Sequence, residues 1–358
     1  MKASKVVFLV FLSILSICVV NIQLVKSQSS GTIYIRSDGT VDPSTVPIQR
    51  VGNVYIFKGN IDGSIVVEKD NIVVDGAGYT LQGTGNQVTG NGTGIYLGYR
   101  YRYNGTYDSR KNVTIKNMQI KYFDHGIWLD AHTSNNTVSG NKITSCIWGI
   151  YLLWSSYNTI TGNKITNNYR GIQLVKSSNS NGISANNITN NRNGIYLFES
   201  SQNTINGNNI TNSEIGIVFD GSHDHIYHNN FINNTKQVED ICWTNPWLPS
   251  SANILDDGYP SGGNYWSDYE DRYPNATELD DSGIWGTPYV IDANNQDRYP
   301  LMNPVAIPEF PNDEKPTTPT NEPFPITWII AAIVIIAVVG VAFLVYFTKV
   351  KKTTEKTE

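Results

Sequence analysis

The chain has 358 residues, a formal net charge of −5 and only 16% charged residues. Its lysines and arginines are scattered and form no basic stripe, which argues against nucleic acid as a partner. Asn, Ser, Thr and Tyr supply most of the polar surface instead, a composition that agrees with a location outside the cytoplasm.

The first predicted element is a secretory signal peptide over residues 1–27. A short basic region ends at Lys5, an apolar run follows from Val6 to Val20, and Val25 and Ser27 have the spacing of a cleavage site. This order of segments is typical of exported proteins. An uncleaved membrane anchor is the alternative interpretation.

A long excursion, residues 98–110, interrupts the first apolar strand patterns of the chain. It alternates Tyr and Arg, which suits stacking on sugars or pairing with anions. Long loops on a rigid scaffold often carry binding sites. The alternative is a surface loop that packs its own aromatic side chains on the protein below.

A short phrase is then repeated five times over residues 112–235. It reads N-x-[IV]-x-x-N-x-I, then about five polar or turn residues, then G-I-x-[LF]. Its glycines recur at intervals of 22 or 23 residues: Gly126, Gly149, Gly171, Gly194 and Gly216. This period is typical of a leucine-rich repeat or of a parallel β-helix. Asn, Thr, Ser and Gly are poor helix formers and Ile recurs at alternate positions, so we predict an all-β parallel β-helix over residues 28–240.

Strand alternation assigns each repeated position to the interior or the surface. Ile150, Leu152 and their counterparts are expected to form one inward column, and the Ile residues of N-x-I a second. The preceding asparagines are expected to hydrogen-bond one another from coil to coil, an arrangement that needs no ligand: Asn141, Asn163, Asn186, Asn208 and Asn229.

The C-terminal part is expected to leave the repeat and lead to a membrane. A Trp-, Tyr-, Pro- and Asp-rich segment, residues 241–303, is predicted to cap the open edge of the last coil. A Pro-rich linker, 304–325, precedes 22 uncharged residues, 326–347, which are long enough for a transmembrane helix. The basic tail, 348–358, is expected in the cytoplasm, with the β-helix outside the cell membrane.

These repeats resemble those of the NosD family, which is named after a copper-enzyme maturation protein and also called carbohydrate-binding and sugar-hydrolase (CASH) repeats. The resemblance extends from the strand pattern at Val54 through the G-I-x-L coils to Gly263-Asn-Tyr-Trp-Ser-Asp-Tyr269 and Thr287-Pro-Tyr289, which is similar to the end of many archaeal surface proteins. It implies a right-handed parallel β-helix. It does not select one function, because this fold carries many.

Outward aromatic residues make carbohydrate the first candidate ligand. Alternation turns Trp128, Tyr151, Gln173 and Tyr196 outward on successive coils, with Trp148 and Trp154 beside them. Aromatic faces and amides at a spacing of about 4.8 Å suit an extended glycan. Alternatively, these aromatics are present because they favour strands.

Catalysis has one weak candidate site, formed by Asp124, His125, Asp130 and His132 on one coil. A polysaccharide lyase, hydrolase or epimerase needs several carboxylates on neighbouring coils. The position after G-I-x-[LF] holds acids only at Asp130 and Asp220, four coils apart. We therefore favour a non-catalytic role, with a polysaccharide-active enzyme as the alternative.

Metal and glycan attachment are further possibilities. His223 and His225 could face outward together, and imidazole suits the copper that the family resemblance implies. Relatives often carry a calcium-like run of Asp and Gly, which is degraded here at residues 278–286. Eight sequons could carry glycans outside the cell: Asn91, Asn104, Asn112, Asn135, Asn187, Asn209, Asn233 and Asn275.

The sequence thus predicts a membrane-anchored surface β-helix with a role in glycan recognition or in building the cell envelope. A sugar-active enzyme and an extracytoplasmic copper-handling protein are the alternatives.

Overall fold

The structure, a computed structural model, describes residues 29–83, 92–98, 100–101, 107–221, 223–245, 251–308 and 310. These residues belong to one compact unit. They form a parallel β-helix in which each coil contributes three strands, so the predicted all-β solenoid is confirmed.

The strands stack into three faces. Face 1 contains the G-I-x-[LF] strands and those in register with them: β1 Ser29–Ile35, β5 Ile61–Val67, β8 Thr93–Leu97, β13 His125–Asp130, β16 Trp148–Leu153, β19 Arg170–Val175, β22 Asn193–Phe198, β25 Ile215–Phe219 and β28 Lys236–Asp240. Face 2 contains the N-x-I strands and their counterparts: β7 Thr80–Gln82, β12 Gln119–Lys121, β15 Lys142–Thr144, β18 Lys164–Thr166, β21 Asn187–Thr189, β24 Asn209–Thr211, β27 Asn230–Ile232 and β29 Tyr265–Trp266.

Face 3 contains the strands that open each repeat, and it is a separate nine-stranded sheet: β3 Ile48–Val51, β4 Val54–Phe57, β6 Ile72–Asp75, β11 Val113–Lys116, β14 Thr137–Ser139, β17 Thr159–Thr161, β20 Gly182–Ser184, β23 Thr204–Asn206 and β26 His225–Tyr227. The remaining elements are short: β2 Val41–Asp42, β9 Arg100–Tyr101, β10 Tyr107–Asp108, α1 Ile241–Thr244, α2 Tyr269–Arg272, β30 Tyr289–Val290 and β31 Gln296–Asp297.

The apolar columns fill the space between the faces, as the alternation predicts. Ile150 and Leu152 are completely buried, and so are their equivalents from β8 to β25 and the inward Ile residues of face 2. The repeated glycine has a steric cause. A Cβ atom on Gly149 would lie 2.5 Å from the carbonyl oxygen of Gly171, and Gly126 and Gly171 meet the next coil equally closely.

Buried asparagines join the coils at the corners. The Nδ2 atom of Asn141 donates to Oδ1 of Asn163 at 3.1 Å, and the pattern continues through Asn186 and Asn208 to Asn229. The predicted ladder is therefore present. Each amide also donates to a backbone carbonyl, as Asn163 does to Val138 at 2.9 Å, so corner groups that would otherwise be unpaired inside the protein are satisfied.

Residues 251–301 pack on the last coil. Asn264 accepts a hydrogen bond from Asn229 at 3.0 Å and so extends the ladder by one step. Trp266 stacks between Phe231 and Tyr289, with ring centroids 4.4 and 4.2 Å apart. Beyond this segment, the side chain of Asn230 holds Val305 through both backbone groups, so the chain stays on face 2 past residue 303.

Several predicted segments lie outside the described residues. They are the signal peptide at 1–27, the linker from 311 to 325, the transmembrane helix at 326–347 and the tail at 348–358. Within the described residues, no helix has both the length and the apolar character needed to cross a membrane.

Candidate functional site

One side of the molecule, the outer surface of face 1, concentrates aromatic side chains. In register along its middle column lie Tyr96, Trp128, Tyr151, Gln173 and Tyr196. The column that precedes each repeated glycine holds His125, Trp148 and Arg170 in register. These eight residues are called the aromatic face below.

The first half of the aromatic face is a packed group of rings. The His125 ring stacks on Trp128 and on Trp148, with centroids 4.6 Å apart in both pairs. Tyr151 meets Trp128 at 5.7 Å, and Tyr96 meets it edge-on at 5.3 Å. The structure therefore brings together Trp128, Trp148 and Tyr151, three of the predicted carbohydrate-binding residues.

The second half carries a cation and an amide. The Arg170 guanidinium lies 3.8 Å above the ring of Tyr196, the fourth predicted residue, in a cation–π contact. Gln173 lies between Tyr151 and Tyr196 in the middle column and is only 6% exposed. Trp154, predicted to flank the ladder, lies past the end of β16, where it is 48% exposed.

The four weak catalytic candidates have different surroundings. Burial lowers the pKa of His125 to about 4, although nearby Asp124 acts in the opposite direction, so this imidazole is neutral near pH 7. Asp130 is buried and accepts a hydrogen bond from the Tyr96 hydroxyl at 2.8 Å. Asp124 accepts from the Gly92 amide at 3.2 Å, and His132 is exposed at a turn. The two acids thus serve local hydrogen bonds rather than facing one groove.

The aromatic face also collects polar atoms without partners. Within the described residues, six buried side-chain polar atoms lack a hydrogen bond, and four of them lie here: Trp128 Nε1, Trp148 Nε1, Arg170 Nε and Gln173 Oε1. Such atoms are uncommon in folded proteins, and each costs about 1–3 kcal/mol. The four atoms lie on three consecutive coils.

The two histidines proposed as metal ligands have different surroundings. His223 is an exposed turn residue with φ of 65°, whereas His225 lies in β26 and its Nε2 contacts the Asp256 carbonyl at 3.0 Å. Nε2 of His228 similarly contacts the Ser261 carbonyl at 2.8 Å. Among the residues that the structure describes, no three His, Cys, Asp or Glu side chains are arranged to hold a metal ion. These residues do not fit the copper that the resemblance implies.

The degraded calcium-like run forms a closed turn. Glu278 pairs with Trp285 across the turn, and its carboxylate accepts the Gly283 amide at 2.7 Å. Its neighbours Asp280 and Asp281 are exposed with positive φ. The Glu278 carboxylate is therefore already hydrogen-bonded to the backbone.

The predicted glycosylation sites differ in accessibility. Four are exposed: Asn112, Asn135, Asn233 and Asn275. Asn187 and Asn209 are half-buried neighbours on face 2. Asn91 and Asn104 lie outside the described residues.

A cleft of about 260 Å³ lies where face 1 meets the C-terminal segment. Asp268, in its wall, accepts hydrogen bonds from the Tyr289 hydroxyl at 3.0 Å and from Gln237 at 3.3 Å. Arg272 donates to the Val290 carbonyl at 2.8 Å. Because these polar groups have partners within the protein, the cleft is a weaker candidate than the aromatic face.

Sequence reasoning missed three members of the aromatic face. Tyr96 belongs to a further copy of the phrase, Gly94-Ile-Tyr96-Leu97, which is hidden because the excursion at 98–110 separates it from the regular period. His125 and Arg170 both occupy the position before the repeated glycine. Treating that position as a second outward column, as for Trp148, would have revealed both.

Solved structures that resemble the chain are β-helix proteins of low identity. They include tailspike protein 2 of Escherichia coli O157:H7 bacteriophage CAB120, at 17% identity and TM-score 0.38, with 58% of this chain and 38% of that chain covered. Pectate lyase Pel9A matches at 14% identity and TM-score 0.36, with coverages of 57% and 62%. A double mutant of the periplasmic alginate epimerase AlgG matches at 16% and 0.33, with coverages of 63% and 76%. The chain spans less than two thirds of the tailspike and of the pectate lyase.

Sequence comparison identifies the family but no individual relative. No curated protein sequence matches the chain. The model of the family described as "Periplasmic copper-binding protein (NosD)" matches residues 38–271, more than half of the chain. That segment contains all the regular coils and the whole aromatic face. The chain therefore belongs to the NosD family.

Proposed function

We propose that this protein binds carbohydrate through its aromatic face and does so without catalysis. The observation that carries the proposal is the row of aromatic rings in register on consecutive coils. Sugars offer apolar C–H faces that pack on aromatic rings. The strand spacing of about 4.8 Å repeats these contacts along one direction, which suits an extended chain.

A non-catalytic role is supported by the surroundings of the titratable groups. His125 is packed between two indoles with its pKa lowered by burial, and the nearby carboxylates accept hydrogen bonds within the protein. Glycoside hydrolysis needs two carboxyl groups held at a defined separation across the scissile bond. The aromatic face offers rings and amides instead, so we place enzymatic activity second.

The test is a glycan array probed with the full-length protein and with two tryptophan variants. Trp128→Ala removes the ring at the centre of the stacked group, and we expect it to weaken binding by about tenfold or more, since burial of a large apolar side chain contributes about 1.5–3 kcal/mol. Trp154→Ala is the matched control, because that indole is exposed but lies outside the aromatic face. Mass spectrometry of the bound glycans reports cleavage or epimerisation.

Two results would contradict the proposal. Equal losses in Trp128→Ala and Trp154→Ala would show that the aromatic face is not the binding surface, and conversion of the bound glycan would show that the protein is an enzyme. Circular dichroism and the thermal unfolding midpoint of each variant establish that it is folded.

The family description concerns copper, but we assign no copper site to this chain. The histidines of face 3 fit poorly, because His225 and His228 contact carbonyls of the C-terminal segment and His223 lies apart at a turn. Copper handling therefore remains third among the candidate functions.

We also propose that the β-helix stands outside the cell membrane. The family is named as periplasmic, and residues 326–347 form an uncharged segment of membrane-spanning length followed by lysines. An outward position would bring the aromatic face to envelope glycans and the four exposed sequons to the glycosylation machinery.

A further inference from the structure

Arg170 is unusual among the cations at face 1 because no carboxylate pairs with it. The neighbouring basic residues on this side each form an ion pair: Lys176 with Glu199, Arg192 with Glu214 and Lys236 with Glu239. Within the described residues, no carboxylate oxygen lies within 4 Å of the Arg170 guanidinium. The aromatic face therefore carries a positive charge that has no direct ion-pair partner among these residues.

The acids that lie close enough to Tyr151 and Tyr196 to act on their pKa values have other partners. Asp130 accepts from the Tyr96 hydroxyl and from the Ala131 amide, and Asp220 accepts from the Glu199 amide. Glu239 pairs with Lys236 at 3.1 Å. A direct ion-pair partner for Arg170 would therefore have to come from outside the described residues.

Arg170 is also held in place without using its hydrogen-bond donors. Its guanidinium rests on the Tyr196 ring at 3.8 Å and lies 5.8 Å from the Tyr169 ring, and these contacts act through the flat face of the group. The N–H donors project from the edge of that plane, in a fork that matches two oxygens of one anion. Because stacking has already restricted the side chain, less conformational entropy is lost on binding.

We propose that Arg170 makes this surface selective for acidic glycans, by binding the carboxylate of a uronic acid or the sulfate of a sulfated sugar. The inference rests on the proposed function and specifies that the bound glycan is negatively charged. Sugar rings stack on Trp128, Trp148 and Tyr151, while an acidic group one or two coils further along binds Arg170.

The experiment measures binding of full-length protein to three matched probes by isothermal titration calorimetry. They are an unbranched oligogalacturonate, the same oligomer with its carboxylates methyl-esterified, and a sulfated neutral oligosaccharide of equal length. We expect at least one acidic probe to bind about 10- to 100-fold more tightly than the methyl ester, as loss of a charged hydrogen bond implies, and to weaken with added salt.

Two variants locate the effect. Arg170→Gln is expected to reduce the affinity for the acidic probe to that for the methyl ester, while Arg192→Gln, one coil away and already paired with Glu214, leaves the preference intact. The acidic probe that binds distinguishes the carboxylate from the sulfate.

The inference is overturned if the wild-type protein binds the methyl ester as tightly as both acidic probes, or if Arg170→Gln keeps the preference. In that case, if the wild-type protein binds the methyl ester and Trp128→Ala does not, the glycan-binding proposal is retained and only the selectivity for acidic glycans is rejected. Failure of every probe to bind overturns the proposed function together with this inference.

Discussion

A second column of corner asparagines, separate from the ladder that begins at Asn141, ends at a single aspartate. Asn136, Asn158, Asn181 and Asn203 each donate to the following member of their corner column, and the last acceptor is Asp224. Its Oδ1 accepts from Asn203, but its Oδ2 is buried without a partner, where an asparagine would place an N–H donor. Burial raises the pKa of Asp224 to about 7, with a smaller contribution from the Asp220 charge.

This geometry predicts that Asp224→Asn stabilises the protein at neutral pH. The folded pKa lies above the unfolded value near 3.8, so the folded state keeps a proton that the unfolded chain releases. The contribution of Asp224 to the free energy of unfolding is fully present below about pH 4 and falls as the pH rises to about 7. Above that pH, the free energy of unfolding is lower by roughly 4 kcal/mol. Urea unfolding midpoints between about pH 4 and 8 should be less pH-dependent in the variant and higher near pH 8.

Asp297→Asn is the matched control. Burial also raises the pKa of Asp297 to about 7, but its carboxylate accepts from the Asn264 amide, the Trp266 indole and the Tyr299 amide at 2.7–3.0 Å. An amide there would turn a donor toward other donors, so this variant should be destabilised. If Asp224→Asn loses stability to the same extent, the argument from the unpaired oxygen is wrong.

The element that organises the molecule is the stacked strand of face 1. Each repeated glycine lets one strand approach the next, because a side chain would contact the neighbouring carbonyl. The aromatic face depends on this contact, since the register across the glycines sets which outward side chains meet.

Gly171→Ala should therefore disturb face 1. The added Cβ would lie 2.5 Å from the Gly194 carbonyl oxygen and 3.1 Å from a methyl group of Ile188. We expect a loss of about 1–3 kcal/mol, as for overpacking of a core, measured by urea unfolding. Gly182→Ala is the control, because no atom lies within 4 Å of its Cβ position and its stability should change by less than about 0.5 kcal/mol. Equal effects in the two variants would refute the steric explanation.

At the scale of the whole molecule, each coil contacts its neighbours and the terminal coil needs a cover. Trp266, with Phe231 and Tyr289, provides an aromatic stack there, and Asn264 completes the ladder. Such one-dimensional stacking repeats the same outward positions at regular intervals along face 1. That geometry suits an extended ligand better than a compact one.

Membrane attachment is tested by fractionation. The full-length chain should remain in the membrane pellet after alkaline carbonate washing, because residues 326–347 have the length and composition of a spanning helix. A chain that ends before Ile326 should appear in the soluble fraction, since the β-helix carries its apolar residues inside. Recovery of the full-length protein in the soluble fraction would contradict the proposed anchor.

The repeat itself made the fold and the family predictable from the sequence. Period, β-branched alternation and the column of asparagines are local properties of the chain, so inward residues such as Ile150 and Leu152 and the ladder from Asn141 could be assigned without coordinates. The NosD resemblance is confirmed for the same reason, because it depends on the repeated phrases themselves.

Only the tertiary structure decided which surface residues act together. The sequence separated His125, as a catalytic candidate, from Trp128 and Trp148, but stacking of the coils places it between the two indoles. It did not distinguish Arg170 from the other cations, because a missing ion pair depends on where every neighbouring carboxylate lies. The physical reason is that a strand sequence specifies the direction of each side chain, whereas its lateral neighbours and its partners belong to other coils.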